Sequence, residues 1–123
     1  YAHHPKEIDV LISSVRNMYP SQKITLIFQP HLFSRTKDFL DDFAMALSKV
    51  DMLILLDIYA AREVPIKGFG IDNLFSAINL KNKKLICNND LLSLIKELKP
   101  KLLISAGAGN ISEFSKSLKK ILA

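Results

Sequence analysis

The sequence predicts an α/β fold: an open, mostly parallel sheet with helices on both faces. Three observations lead there. Short, nearly continuous apolar runs at 24–28, 52–58, 84–87 and 102–105 read as strands buried on both sides. The segments between them carry apolar residues at helical spacing. Regular alternation of the two types calls for parallel strands joined by helical crossovers.

Pro5 suits the first turn of a helix, where its missing N–H costs nothing. Ile8, Leu11, Ile12, Val15 and Met18 then form one apolar face, and Tyr19-Pro20-Ser21 ends the helix, because a residue before proline is pushed out of the helical region. The first strand, 24–28, leads into Gln29-Pro30-His31. Ser34 or Thr36 is the expected cap of a second helix, with Asp38 in its first turn and Phe39, Leu40, Phe43, Ala46 and Leu47 facing inward. The second strand, 52–58, carries Asp57 near its end, and a loop at 59–70 follows, rich in charge, Pro and Gly. A short helix at 72–78 precedes the strand at 84–87. Asn89 or Asp90 caps a helix at 91–98, which Pro100 closes. The strand at 102–105 runs into Gly107-Ala108-Gly109, and a final helix is expected at 111–122. The whole belongs to the Rossmann-like class, in which ligands bind outside the carboxyl ends of the strands.

The chain has 123 residues, 49% hydrophobic and 24% charged, which suits one domain with its own core. The net charge of +5 comes from scattered lysines, without a basic stripe carrying interleaved aromatics, so nucleic acid is not an expected partner. No apolar stretch approaches the roughly 20 residues of a membrane span, and the first residues carry no signal-peptide pattern. Cys87 lies in an apolar run, so a buried thiol in a reduced cytoplasm is expected. The motif at the first residue suggests a domain taken from a longer protein, and the amphipathic run at 111–123 suits a natural C-terminus.

Four constellations can carry chemistry. In Tyr1-Ala2-His3-His4-Pro5, adjacent histidines could bind a metal or donate to an oxyanion; alternatively one caps the helix and the other is solvated. A metal is not expected, because no acidic or Cys partner stands at ligand spacing. In the segment from Gln29 to Thr36, His31 and Arg35 stand beside a helix start, where all three features favour an anion. The planar fork of Arg suits a carboxylate; the bland reading is a cap with a surface Arg. Asp57, Arg62 and Glu63 could orient a ligand, or form an internal ion pair that shapes the loop. Gly107-Ala108-Gly109 permits close backbone approach and N–H groups turned to a ligand. No G-x-x-x-x-G-K-[ST] loop, no G-x-S-x-G elbow and no Cys placed as a nucleophile occurs.

Together these segments resemble the third, acceptor-binding domain of the Mur ligases. Tyr1 to Pro5 is similar to the end of a DDYAHHP signature in the alanine-adding members. Phe28 to Thr36 is similar to FQPHxxSRT, Leu56 to Ile66 to a DIYPAREEPI loop, and Gly107 to Gly109 to a GAGDI segment. The four occur in the family's order along the whole chain. Leu32 stands where many relatives have Arg, Ala60 replaces a Pro, and Asn110 an Asp. The resemblance implies a cytoplasmic ATP- and Mg²⁺-dependent reaction of peptidoglycan biosynthesis. UDP-N-acetylmuramic acid is activated as an acyl phosphate, and the amine of L-alanine attacks it. It implies that His31 and Arg35 hold the alanine carboxylate. Tyr1 and His3 would lie at a domain interface near the nucleotide, with Gly107, Ala108 and Gly109 lining the same cleft. No catalytic residue or metal is expected in this domain alone, which would be inactive without a separate ATP-binding domain. Rival readings are a ligase that recycles murein tripeptide, a phosphoacceptor domain using Asp57, and a free-standing nucleotide-binding module.

Overall fold

A computed structural model describes residues 4–107. The expected helix at 111–122, and Tyr1, His3, Ala108 and Gly109, lie outside the described residues.

The first helix, α1 (Pro5–Met18), begins on His4. The His4 ring accepts from the Lys6 N–H at 3.3 Å, and Glu7 reaches back to accept from the His4 N–H at 3.1 Å. These two bonds satisfy N–H groups that a helix start leaves unpaired. Ile8, Ile12 and Val15 are buried as the periodicity predicts, whereas Met18 is 65% exposed at the helix end.

Strand β1 (Thr25–Gln29) is buried at every position. The single helix expected next is two: α2 (Phe33–Asp38) and α3 (Leu40–Leu47), parted at Phe39, whose φ of −112° and ψ of 27° leave the helical region. Neither Ser34 nor Thr36 is the cap. Thr36 lies inside α2 and turns its hydroxyl back onto the Leu32 carbonyl at 2.8 Å, and Asp38 falls in the last turn rather than the first.

Strand β2 (Met52–Leu55) is shorter than the apolar run. Pro30 has no N–H to give to the ladder, and pairing resumes at a single bridge between His31 and Tyr59. Helix α4 (Ile71–Ala77) leads to the short strand β3 (Lys83–Leu85). Cys87 follows β3 at the start of a 3-10 turn (Asn88–Asp90) and is exposed, which corrects the expectation of a buried thiol. Asp90 stands at the N-cap of α5 (Leu91–Leu98), one of the two expected positions, but its side chain makes no capping hydrogen bond. The left-handed Lys99 ends that helix just before Pro100. Strand β4 (Leu103–Gly107) runs two residues past the expected end, because it follows β1 to Gln29.

Among the described residues all strand pairings are parallel, in the order β3-β2-β1-β4. Alternate residues serve two layers. Leu26, Phe28, Leu53 and Leu55 pack with residues of α1, α3 and α4; Ile27 and Ile54 pack with Leu91 and Ile95 of α5. Helices thus cover both faces, as predicted. Among the described residues no helix is long and apolar enough to cross a membrane.

Candidate functional site

From β1 the chain steps to β2 and β3 on one side, then returns to place β4 on the other. That reversal makes the carboxyl ends of β1 and β4 the switch point, where open α/β sheets leave a crevice. Two local features shape it. Gly107, the last residue of β4, sits opposite Gln29 at a φ of 112°. A Cβ there would lie 2.0 Å from the Gln29 carbonyl oxygen. The close approach that the glycines promised is therefore made, at Gly107, to the neighbouring strand. The second feature is Leu32, whose φ of 70° turns the chain sharply from β1 into α2. Its backbone is pinned from Leu32 N–H to the Tyr59 carbonyl at 2.9 Å.

This turn brings His31 and Arg35 together. Their Nδ1 and Nη1 atoms are 3.3 Å apart. A guanidinium only donates, so Nδ1 accepts and the imidazole carries its proton on Nε2. The His31 ring stacks on Tyr59, with centroids 6.1 Å apart and 23° between planes. Both His31 and Arg35 are half-buried, and Arg35 forms no ion pair among the described residues.

Glu63 caps α2. Its carboxylate accepts from the Ser34 N–H at 3.0 Å and from the Ser34 hydroxyl. The Ser34 hydroxyl holds its pKa below the ordinary value of 4.5. Desolvation opposes this, and the N–H groups of Ser34 and Phe33 and the nearby His31 assist it. The loop thus supplies from a distance the cap that α2 lacks locally. Arg62 is exposed and pairs with neither Asp57 nor Glu63. Asp57 is exposed too, and its carboxylate accepts from the Ile58 N–H at 2.7 Å. The ion pair weighed for this loop is therefore replaced by the Ser34–Glu63 contact. His4 has a structural role: besides capping α1, its ring lies 5.0 Å from that of Phe39.

Sequence reasoning did not select Gln29 or Tyr59. Gln29 is 4% exposed. Its Nε2 donates to the Asp57 carbonyl at 3.2 Å, while its Oε1 has no partner among the described residues. The available signal was a polar residue closing a buried strand just before a proline. A separate open groove of about 510 Å³, lined by Ser21, Gln22, Lys23, Thr25, Pro100 and Lys101, lies at the amino ends of the strands, away from this cluster.

The family model for the Mur ligase, glutamate ligase domain, matches residues 1–109. The chain belongs to the Mur ligase family. It is 48% identical over 122 residues to UDP-N-acetylmuramate–L-alanine ligase of Flavobacterium psychrophilum, covering 99% of this chain and 27% of that protein. The chain thus spans about a quarter of the length of the curated relatives it matches. Two solved Mur ligases share its fold. UDP-N-acetylmuramate-alanine ligase from Thermotoga maritima superposes with a TM-score of 0.66 at 21% identity, covering 98% of this chain and 25% of that one. A murein peptide ligase from Psychrobacter arcticus gives 0.70 at 16% identity, covering 99% and 26%. Membership of the Mur ligase family does not favour the phosphoacceptor or free-standing nucleotide-binding readings.

Proposed function

We propose that this chain is the C-terminal, acceptor-binding domain of a cytoplasmic ligase that joins L-alanine to UDP-N-acetylmuramic acid in peptidoglycan synthesis. The observation that carries the reading is the His31–Arg35 pair, 3.3 Å apart at the carboxyl edge of the sheet beside the switch point. The name of the relative from Flavobacterium psychrophilum supplies the substrates.

In this reading the guanidinium of Arg35 takes the alanine carboxylate as a planar, two-point partner. His31, its Nδ1 engaged by Arg35, stands beside that guanidinium and completes the carboxylate position. Tyr59 stacks on that ring, and Glu63 fixes the first turn of α2, so the guanidinium and the imidazole meet the substrate already oriented. ATP converts the carboxylate of UDP-N-acetylmuramic acid to an acyl phosphate with release of ADP. The alanine amine then attacks the acyl carbon, forming the amide and releasing phosphate. Phosphate chemistry belongs to a separate ATP-binding domain. Among the described residues no three His, Cys, Asp or Glu stand close enough to share a metal ion, and the Mg²⁺ that the reaction uses is assigned to that other domain. Tyr1, His3, Ala108 and Gly109 are proposed to line the cleft between domains. Asp57 and Arg62, both exposed on the loop side, are proposed to shape its rim. Closing the cleft would shield the acyl phosphate from water.

Arg35→Ala in the full-length protein tests the reading by steady-state kinetics. Loss of the charge-assisted pair raises KM for alanine by roughly thirtyfold, about 2 kcal/mol for a half-buried contact, with little change in KM for ATP. Equal effects on both substrates would remove Arg35 from the carboxylate site.

A further inference from the structure

One polar atom at the carboxyl edge of the sheet is left over by the fold. Gln29 closes β1 with its side chain almost wholly out of water, and its Oε1 has no hydrogen-bond partner among the described residues. The amide cannot be relieved by a flip. Nε2 donates to the Asp57 carbonyl at 3.2 Å, and exchanging the two ends would set two acceptors against each other. Buried acceptors are almost always satisfied, so one left open beside a candidate site calls for a donor that arrives with the ligand.

We infer that Gln29 Oε1 accepts an N–H from the amino group of the amino acid whose carboxylate His31 and Arg35 hold, which makes Gln29 a positioning residue for the attacking amine. The inference rests on the carboxylate reading above. Gln29 and His31 are two residues apart on one strand direction, so both face the same side of the sheet. Two residues of extended chain span about 7 Å. An α-amino acid has its amine one carbon from its carboxylate, which suits one group at each end of that span. The amine carries donors whether charged or neutral. An acceptor that fixes one N–H also fixes where the nitrogen lone pair points once the amine is deprotonated.

The test compares L-alanine with propionate, which keeps the carboxylate and methyl group and lacks the amine. Affinities of the full-length protein for both are measured by titration calorimetry. The unchanged protein should prefer alanine. Gln29→Met, similar in length without the acceptor, should cut that preference about tenfold and leave propionate binding within about twofold. Arg35→Ala should weaken both ligands together; if it weakens neither, the carboxylate reading fails whatever Gln29 does. Equal losses of alanine and propionate binding in Gln29→Met would overturn the inference, as would an undiminished preference. Should Gln29→Met fail to fold, Gln29→Leu is read by the same comparison: an undiminished preference for alanine over propionate sinks the inference.

Discussion

Gly107 has no side chain because β1 leaves no room for one. The backbone carbonyl of Gln29 occupies the place where a Cβ would go. Gly107→Ala is therefore expected to cost about 3 kcal/mol or more, from the unfavourable φ and the forced separation of β1 and β4. Gly68 is the control, since its φ of 77° is also positive but nothing lies within 4 Å of a built Cβ; Gly68→Ala should cost only about 1–2 kcal/mol. Urea denaturation of both variants checks the contrast. At this scale the sequence was legible where chemistry alone selects a residue. A His and an Arg beside a helix start point to an anion, and the structure places them in contact. Gln29 was not legible, because its significance depends on which of its atoms the neighbouring strands leave unpaired. Gly107 was flagged, but sequence cannot say whether a ligand or a strand makes the close approach.

Helix α2 shows what is lost when elements are read one at a time. Its cap comes from Glu63, 29 positions after Ser34, and no local rule connects them. The apolar pattern of 39–47 starts at Phe39 and gives no sign of a break there, so one helix was expected where two stand. The Glu63 contact makes α2 sensitive to acid. Its folded pKa is depressed, so the stabilisation is fully present above the ordinary value of 4.5 and is lost as pH falls through the depressed value. The Ser34 amide resonance, followed by NMR from neutral pH downward, should report a titration with a midpoint below 4.5. Glu63→Gln should abolish that titration. A Ser34 amide indifferent to pH would mean that the cap does not form in solution.

Over the whole molecule, periodicity carried most of the information. Four apolar runs and their intervening helices gave the sheet, its parallel sense and its two helical layers, but burial on both sides holds for the central β1 and β2, while β3 and most of β4 are partly exposed. Strand ends were less legible, because Pro30 and the β1–β4 register set them through partners distant in sequence. The larger core layer should dominate stability. Phe43 on α3 is fully buried with its ring 5.7 Å from that of Phe28, and Phe43→Ala should cost about 3–5 kcal/mol. Met45, two positions along and 66% exposed, should tolerate Ser within about 0.5 kcal/mol. Thermal or urea unfolding distinguishes the two. The outer strand has a bearing on handling the protein. β3 is three residues long and carries two lysines, and the Lys83 ammonium is drawn back onto the carbonyls of Phe75 and Ile78 at 2.6 and 2.9 Å. A rim so short and so charged is a poor template for a further strand from another molecule, so this side of the sheet resists the edge-to-edge growth that leads to aggregates.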